Sequence, residues 1–270
     1  MALGLNHALL IGTLVRDPDL RYTPAGLAVL RLDVGGDDHL HDENGDLRAR
    51  PWYQRATVFG VQAERMVDDL RAGTPVWLEG HVEQRSWEDG DGASRSSLEV
   101  VARRAEVLEL GARDPDDACA VDARDQPRLR DAVNVVRLIG NLVRDVEVRR
   151  SEAGAALARF SLAVQERKGE EAAAPHFIDV RAWRELALGL EGRCKGDALY
   201  LEGRLVQDAW TDANGARRRA TRVEARRVEV VQRRSASSFT VATGDRSEAP
   251  GADPTSGAAS EPGVQGTASA

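Results

Sequence analysis

Aromatic residues make up only 4% of this 270-residue chain, yet most of them recur at matched places. Tyr53 is answered by Phe177, Phe59 by Trp183, Trp77 by Tyr200 and Trp87 by Trp210. Trp87 and Trp210 stand among polar neighbours, in Gln84-Arg85-Ser86-Trp87-Glu88 and Gln207-Asp208-Ala209-Trp210-Thr211. An indole so placed is ready for a flat partner. Stacking of a nucleotide base on such a ring is sequence-tolerant and contributes about 1–3 kcal/mol per base. Arg55, Arg85, Arg95, Arg167, Lys168, Arg181 and the run Arg217, Arg218, Arg219 would supply positive charge beside the rings. The competing reading of any one aromatic is packing in a strand core, and it suits Trp77 and Tyr200 best, mid-strand beside Leu78 and Leu201.

Other chemistries find little support. The chain carries no phosphate-binding loop, dinucleotide fingerprint, metalloprotease helix or serine elbow. His7, His39, His41, His81 and His176 share no metal-ligand spacing, and Cys119 and Cys194 are too few for a disulfide framework or a zinc site. Asp37-Asp38 and Asp42-Glu43 read as solvated loop charges, and Asp89-Gly90-Asp91-Gly92 as a hairpin turn in preference to a calcium loop. Neither catalysis nor a metal or cofactor is expected. What remains is binding, of nucleic acid or of protein.

Those side chains need a frame, and an internal repeat supplies it. Leu5-Asn6 and Leu10-Ile11-Gly12-Thr13-Leu14-Val15-Arg16-Asp17 return 128 residues later as Val133-Asn134 and Leu138-Ile139-Gly140-Asn141-Leu142-Val143-Arg144-Asp145. Leu78-Glu79-Gly80 and Ala102-Arg103-Arg104 return after 123 residues as Leu201-Glu202-Gly203 and Ala225-Arg226-Arg227. The change of offset marks a deletion in the second copy's middle loop. Two domains are expected, 1–110 and 131–234, with a linker over 111–130 rich in Asp, Arg and Pro and a disordered tail over 235–270 too poor in large apolar residues to fold.

Each copy alternates like a β-domain. In the first, strands are expected over Asn6–Val15, Ala28–Val34, Trp52–Phe59, Pro75–Trp87 and Arg95–Leu108. One helix is expected between the third and fourth, on Ala63, Met66, Val67 and Leu70 and stopped by Gly73; its counterpart uses Trp183, Leu186, Ala187 and Leu190 and is stopped by Gly196. Three strands, a helix and two strands in about 100 residues is the order of an OB-fold, a five-stranded Greek-key barrel. The fold class is therefore all-β, with two tandem OB-fold barrels.

Taken as a whole, the formal net charge of -7 disfavours a polyphosphate partner, but it is unevenly spread. Residues 1–110 hold 12 basic against 19 acidic side chains, whereas 131–234 hold 20 against 16. The second barrel is thus expected to provide most of the attraction. The absence of a long apolar run and of a secretory-type start leads us to expect a soluble, cytoplasmic protein.

Taken in order, Leu5-Asn6 to Asp17-Pro18-Asp19-Leu20-Arg21-Tyr22-Thr23-Pro24, Trp52-Tyr53-Gln54-Arg55 to Phe59-Gly60, Leu78-Glu79-Gly80 and the Trp87 hairpin resemble bacterial single-stranded DNA-binding proteins. Two such domains in one chain are similar to the variant of the Deinococcus and Thermus group. The resemblance covers about 1–110 and 133–231 and implies binding of single-stranded DNA in replication, recombination and repair, by a homodimer presenting four barrels. It places base-stacking aromatics at Tyr53, Phe59 and Trp87, and at Phe177, Trp183 and Trp210. A further stacking tryptophan of the family falls on Leu40 and Lys168 and is absent here. Members commonly recruit replication and repair proteins through an acidic tip closing in Pro-Phe; this sequence ends Gly266-Thr267-Ala268-Ser269-Ala270, so that route is not expected.

Overall fold

A computed structural model describes residues 4–41, 45–88, 94–110, 115–151, 154–165, 167–168, 171–172, 174–211, 215 and 217–232. Asp42-Glu43, the turn Asp89-Gly90-Asp91-Gly92 and the tail 235–270 lie outside the described residues. No described helix is long and apolar enough to cross a membrane.

The first barrel is built from β1 (Leu5–Leu14), β2 (Asp19–Tyr22), β3 (Ala28–His41), β4 (Leu47–Phe59), α1 (Val61–Met66), β5 (Pro75–Glu88) and β6 (Ser94–Val107). Strand β1 pairs with β3, β3 with β4, β4 in parallel with β6, β6 with β5, and β5 with β1, which closes five strands into a barrel. Alternation of side chains drives this closure: along β1 every second residue, including Ala8 and Leu10, is fully buried, and Leu30, Leu32, Val58, Leu78 and Val100 meet them inside.

The connecting segment forms α2 (Pro115–Ala118) and a small hairpin of β7 (Cys119–Val121) and β8 (Pro127–Leu129), whose Leu129 pairs with Gly36 of β3. The second barrel repeats the first with β9 (Val133–Leu142), β10 (Val148–Arg150), β11 (Ala156–Val164), the short pair β12 (Arg167–Lys168) and β13 (Glu171–Ala172), β14 (His176–Trp183), α3 (Arg184–Leu188), β15 (Ala198–Thr211) and β16 (Arg217–Gln232). It closes through the same partnerships, with β14 and β16 parallel.

Three expectations are corrected. The first helix ends at Met66 and tightens into a 3-10 turn over Val67–Asp69, so Leu70 is buried from beyond the helix, and α3 ends at Leu188. The second strand runs on from Val34 to His41 because Asp37 and Asp38 are not loop charges. They are 5% and 6% exposed; Arg128 lies 3.2 Å from Asp37, and Arg204 and Arg226 hold Asp38 at 2.7 and 3.1 Å. Buried carboxylates persist where cations partner them, and here the cations come from the connecting segment and the second barrel. Finally, Trp77 and Tyr200 are half-buried on the outward face of the sheet, while among the described residues the buried aromatics are Trp52 and Phe160.

The barrels are joined by antiparallel pairing of β1 with β9, from Leu5 opposite Ile139 to Ile11 opposite Val133. Ala8 faces Val136, its own counterpart in the repeat, so the junction has the self-matching form of a two-fold interface. The asparagines of the repeated Leu-Asn and Val-Asn pairs find their purpose here. Backbone pairing of β1 with β5 ends at Ala8 opposite Gly80, and the Asn6 side chain continues the ladder by donating to the Val82 carbonyl at 2.8 Å and accepting from its N–H at 3.0 Å. Asn134 does the same for Leu205, at 2.9 Å in both directions. The neighbouring Gly80 and Gly203 sit at register shifts where a Cβ would lie 2.0 Å from the Val101 carbonyl oxygen and 2.3 Å from that of Glu224. Only glycine admits so close a strand.

Candidate nucleic-acid interface

The outward faces of β4 and β14 carry the candidate stacking residues. On β4, Trp52, Gln54, Ala56 and Val58 turn inward, which leaves Tyr53, Arg55, Thr57 and Phe59 on the other face. On β14, Ile178, Val180 and Ala182 turn inward, which leaves Phe177, Asp179, Arg181 and Trp183. Each pair of rings is six residues apart, about 20 Å along a strand, room for several stacked bases.

The two faces differ in what touches the rings. The Tyr53 hydroxyl donates to Asp122 at 2.6 Å, so the connecting hairpin reaches onto the first face. Burial and then the Asp122 contact raise the Tyr53 phenol, and the same hydrogen bond holds the Asp122 carboxyl low. Phe177 is 50% exposed. Trp183 donates its indole N–H to Glu224 at 3.2 Å, and the Arg181 guanidinium lies 5.8 Å from its ring centroid.

Among the described side chains, the arginines expected to line a groove, Arg55, Arg85 and Arg181, are engaged with carboxylates. Arg55 meets Asp33 at 3.2 Å and Arg85 meets Glu99 at 3.4 Å. Arg181 pairs with Asp208 and, at 3.0 Å, with Glu224. A phosphate arriving there must exchange with an acid already present. In the repeat, Arg85 and Glu99 correspond to Asp208 and Arg222, which lie 3.0 Å apart: the same ion pair with its polarity inverted.

The side chains of Trp87, Arg95, Arg167, Lys168, Trp210, Arg217, Arg218 and Arg219 lie outside the described residues. Their backbones nonetheless set Trp87 opposite Arg95 and Trp210 opposite Arg218, in the two hairpins β5–β6 and β15–β16.

Sequence reasoning missed Arg204 and Glu224. Arg204 is 6% exposed and binds Glu224 through Nε at 3.1 Å and Nη2 at 2.7 Å, while its Nη1 reaches Asp38. Burial by itself would raise the Glu224 carboxyl, but Arg204 and Arg181 outweigh it and hold the group below the usual carboxylate range. A signal was present in Arg222-Val223-Glu224-Ala225-Arg226, where alternation puts three charges on one face of a strand.

The model of the single-strand binding protein family matches residues 5–108 and again 133–231, one match per barrel. The chain belongs to the single-strand binding protein family. Among relatives of this family member, a single-stranded DNA-binding protein of Thermus aquaticus is 48% identical over 230 residues, covering 85% of each chain. One from Deinococcus radiodurans is 42% identical over 238 residues, 86% of this chain and 77% of the relative. The crystal structure of the wild-type single-stranded DNA binding protein from Thermus aquaticus superposes with a TM-score of 0.67 at 40% identity, over 87% of this chain and 97% of that one.

Proposed function

We propose that this protein binds single-stranded DNA without sequence preference and protects it during replication, recombination and repair. The observation that carries this reading is the pair of outward faces with matched rings, Tyr53 and Phe59 on one and Phe177 and Trp183 on the other, each with an arginine between its rings, Arg55 and Arg181, one face on each barrel of a member of this family. Bases stack on Tyr53, Phe59, Trp87, Phe177, Trp183 and Trp210. Phosphates displace the carboxylates paired with Arg55, Arg85 and Arg181 and meet Arg95, Arg167, Lys168, Arg217, Arg218 and Arg219.

Titrating the protein with a mixed-sequence single strand and with its duplex, while following tryptophan fluorescence, tests this. The single strand quenches and binds tightly, the duplex weakly, and log affinity falls linearly with log salt, at about 0.7 per phosphate contact. Equal affinity for the two forms overturns the reading.

The working unit we propose is a homodimer of four barrels. Support comes from the outward face of the sheet formed by β1, β9 and their neighbours. Leu9, Ile11, Val133, Val135 and Ile139 are half-buried there with Trp77 and Tyr200, where an antiparallel sheet facing water would carry polar residues. Light scattering returning the 29.3 kDa monomer at micromolar concentration refutes it.

A further inference from the structure

The rows of residues that cross from one strand to the next are the same in the two barrels, but their chemistry is not. In the second barrel Arg181 of β14, Glu224 of β16 and Arg204 of β15 lie side by side in register. In the first barrel the corresponding row is Thr57, Val101 and His81. The charged row ends on Asp38, which β3 of the first barrel delivers to Arg204 at 2.7 Å. At its other end stands Trp183, whose indole N–H needs an acceptor and finds Glu224 Oε2.

We propose that Asp38, in the first barrel, is a positioning residue for Trp183, in the second, acting through Arg204 and Glu224. The proposal rests on the stacking role given to Trp183 above. Its physical basis is a division of labour between the two Glu224 oxygens. Arg204 occupies Oε1 with two N–H groups and leaves Oε2 for Trp183 and Arg181, so the carboxylate plane is set by donors on both oxygens. The Nε–Nη2 edge of Arg204 serves Glu224 and its Nη1 serves Asp38, so the two carboxylates together set the position of the planar guanidinium. Without Asp38, Arg204 loses the anchor on its Nη1 and shifts toward its one remaining carboxylate, the balance between Arg204 and Arg181 on Glu224 changes, and the acceptor offered to the ring moves. Base stacking on the second barrel therefore depends on contact with the first.

The test uses the full chain and a mutant cycle of Asp38→Asn with Trp183→Phe, titrated with oligothymidylate. Asp38→Asn alone is expected to weaken binding about fivefold, and to have no further effect once Trp183→Phe has removed the indole N–H. Equal losses in both backgrounds would mean that Asp38 merely docks the barrels and would overturn the proposal. A second readout needs no DNA: the indole N–H resonance of Trp183 shifts and exchanges with solvent faster in Asp38→Asn, and Asp38→Glu restores part of its protection. An unchanged resonance also overturns the proposal. Should Asp38→Asn fail to fold, Arg204→Lys carries the same cycle, since it keeps the charge but cannot span two carboxylates. Trp183→Ala separates the two readings: unchanged affinity there refutes the stacking role, while the tether is read independently from the indole resonance of chains that keep Trp183, with and without Asp38→Asn.

Discussion

The two barrels share a closure, a helix position and a ladder-extending asparagine, but they seat their equivalent rings differently. Phe59 offers no polar atom, and the row beside it, Thr57, Val101 and His81, carries no carboxylate or guanidinium. Trp183 is wired by its N–H into a chain of charges that leaves its own barrel. The first ring is held by packing alone, and the second by packing plus hydrogen bonds whose direction matters. Charge counts hide this. Although the first barrel is the more acidic, Asp37 and Asp38 spend their charge on Arg128, Arg204 and Arg226 and do not face an incoming strand.

The sharpest way to break the comparison is to add a methyl group at equivalent glycines. Gly80→Ala and Gly203→Ala each force a Cβ against a carbonyl oxygen and should each cost about 1–3 kcal/mol of stability, read from denaturant midpoints. Only Gly203→Ala pushes on Glu224 itself, so it alone should also disturb the Trp183 indole resonance. Equal disturbance of Trp183 by both would erase the distinction.

Next in size is removal of the rings. Phe59→Ala and Trp183→Ala should each lose about 1–3 kcal/mol of single-strand affinity, with the greater loss at Trp183, whose larger surface is also held at a fixed angle. A greater loss at Phe59 would reverse the ranking of the barrels.

The smallest effect is on pH. The Glu224 carboxyl is held below its unfolded value, so its stabilising contribution is complete above the usual carboxylate range, about 4 to 4.5, and vanishes only as pH falls through the depressed folded value. The Trp183 indole signal should stay constant from neutral pH down to that range and change below it. A change already at pH 6 would assign it to another group. The first barrel has no counterpart carboxylate at Val101, so Phe59, the ring equivalent to Trp183, should not show the same transition, whereas Tyr53 reports its own contact with Asp122.

Much of this was legible in the sequence, for identifiable reasons. The repeat and the period-two alternation on β1 and β9 predicted the strands because burial on one face is recorded residue by residue. The matched aromatics led to the outward faces of β4 and β14 in the same way. Asp37 and Asp38 misled because local composition says loop, while the cations that make a strand tolerable there are 90 or more residues away at Arg128, Arg204 and Arg226. The arginines misled for a related reason: a basic residue in a list does not show which carboxylate the neighbouring strand sets beside it. Asn6 looked like part of a signature and proved to be a stand-in for backbone.

The self-matching junction of β1 with β9 carries one more consequence. Between two identical chains related by an axis, any contact off that axis is made twice, so a mutation there is tested twice and must succeed on both sides at once. Fusing the halves into one polypeptide removes that constraint. Arg204 can answer Asp38 while the position that matches it in the first barrel holds His81, near His176 at 6.0 Å between ring centroids. The covalent repeat thus has the geometry of a symmetric pair without the demand that both sides carry one sequence, and its two copies are free to divide their tasks.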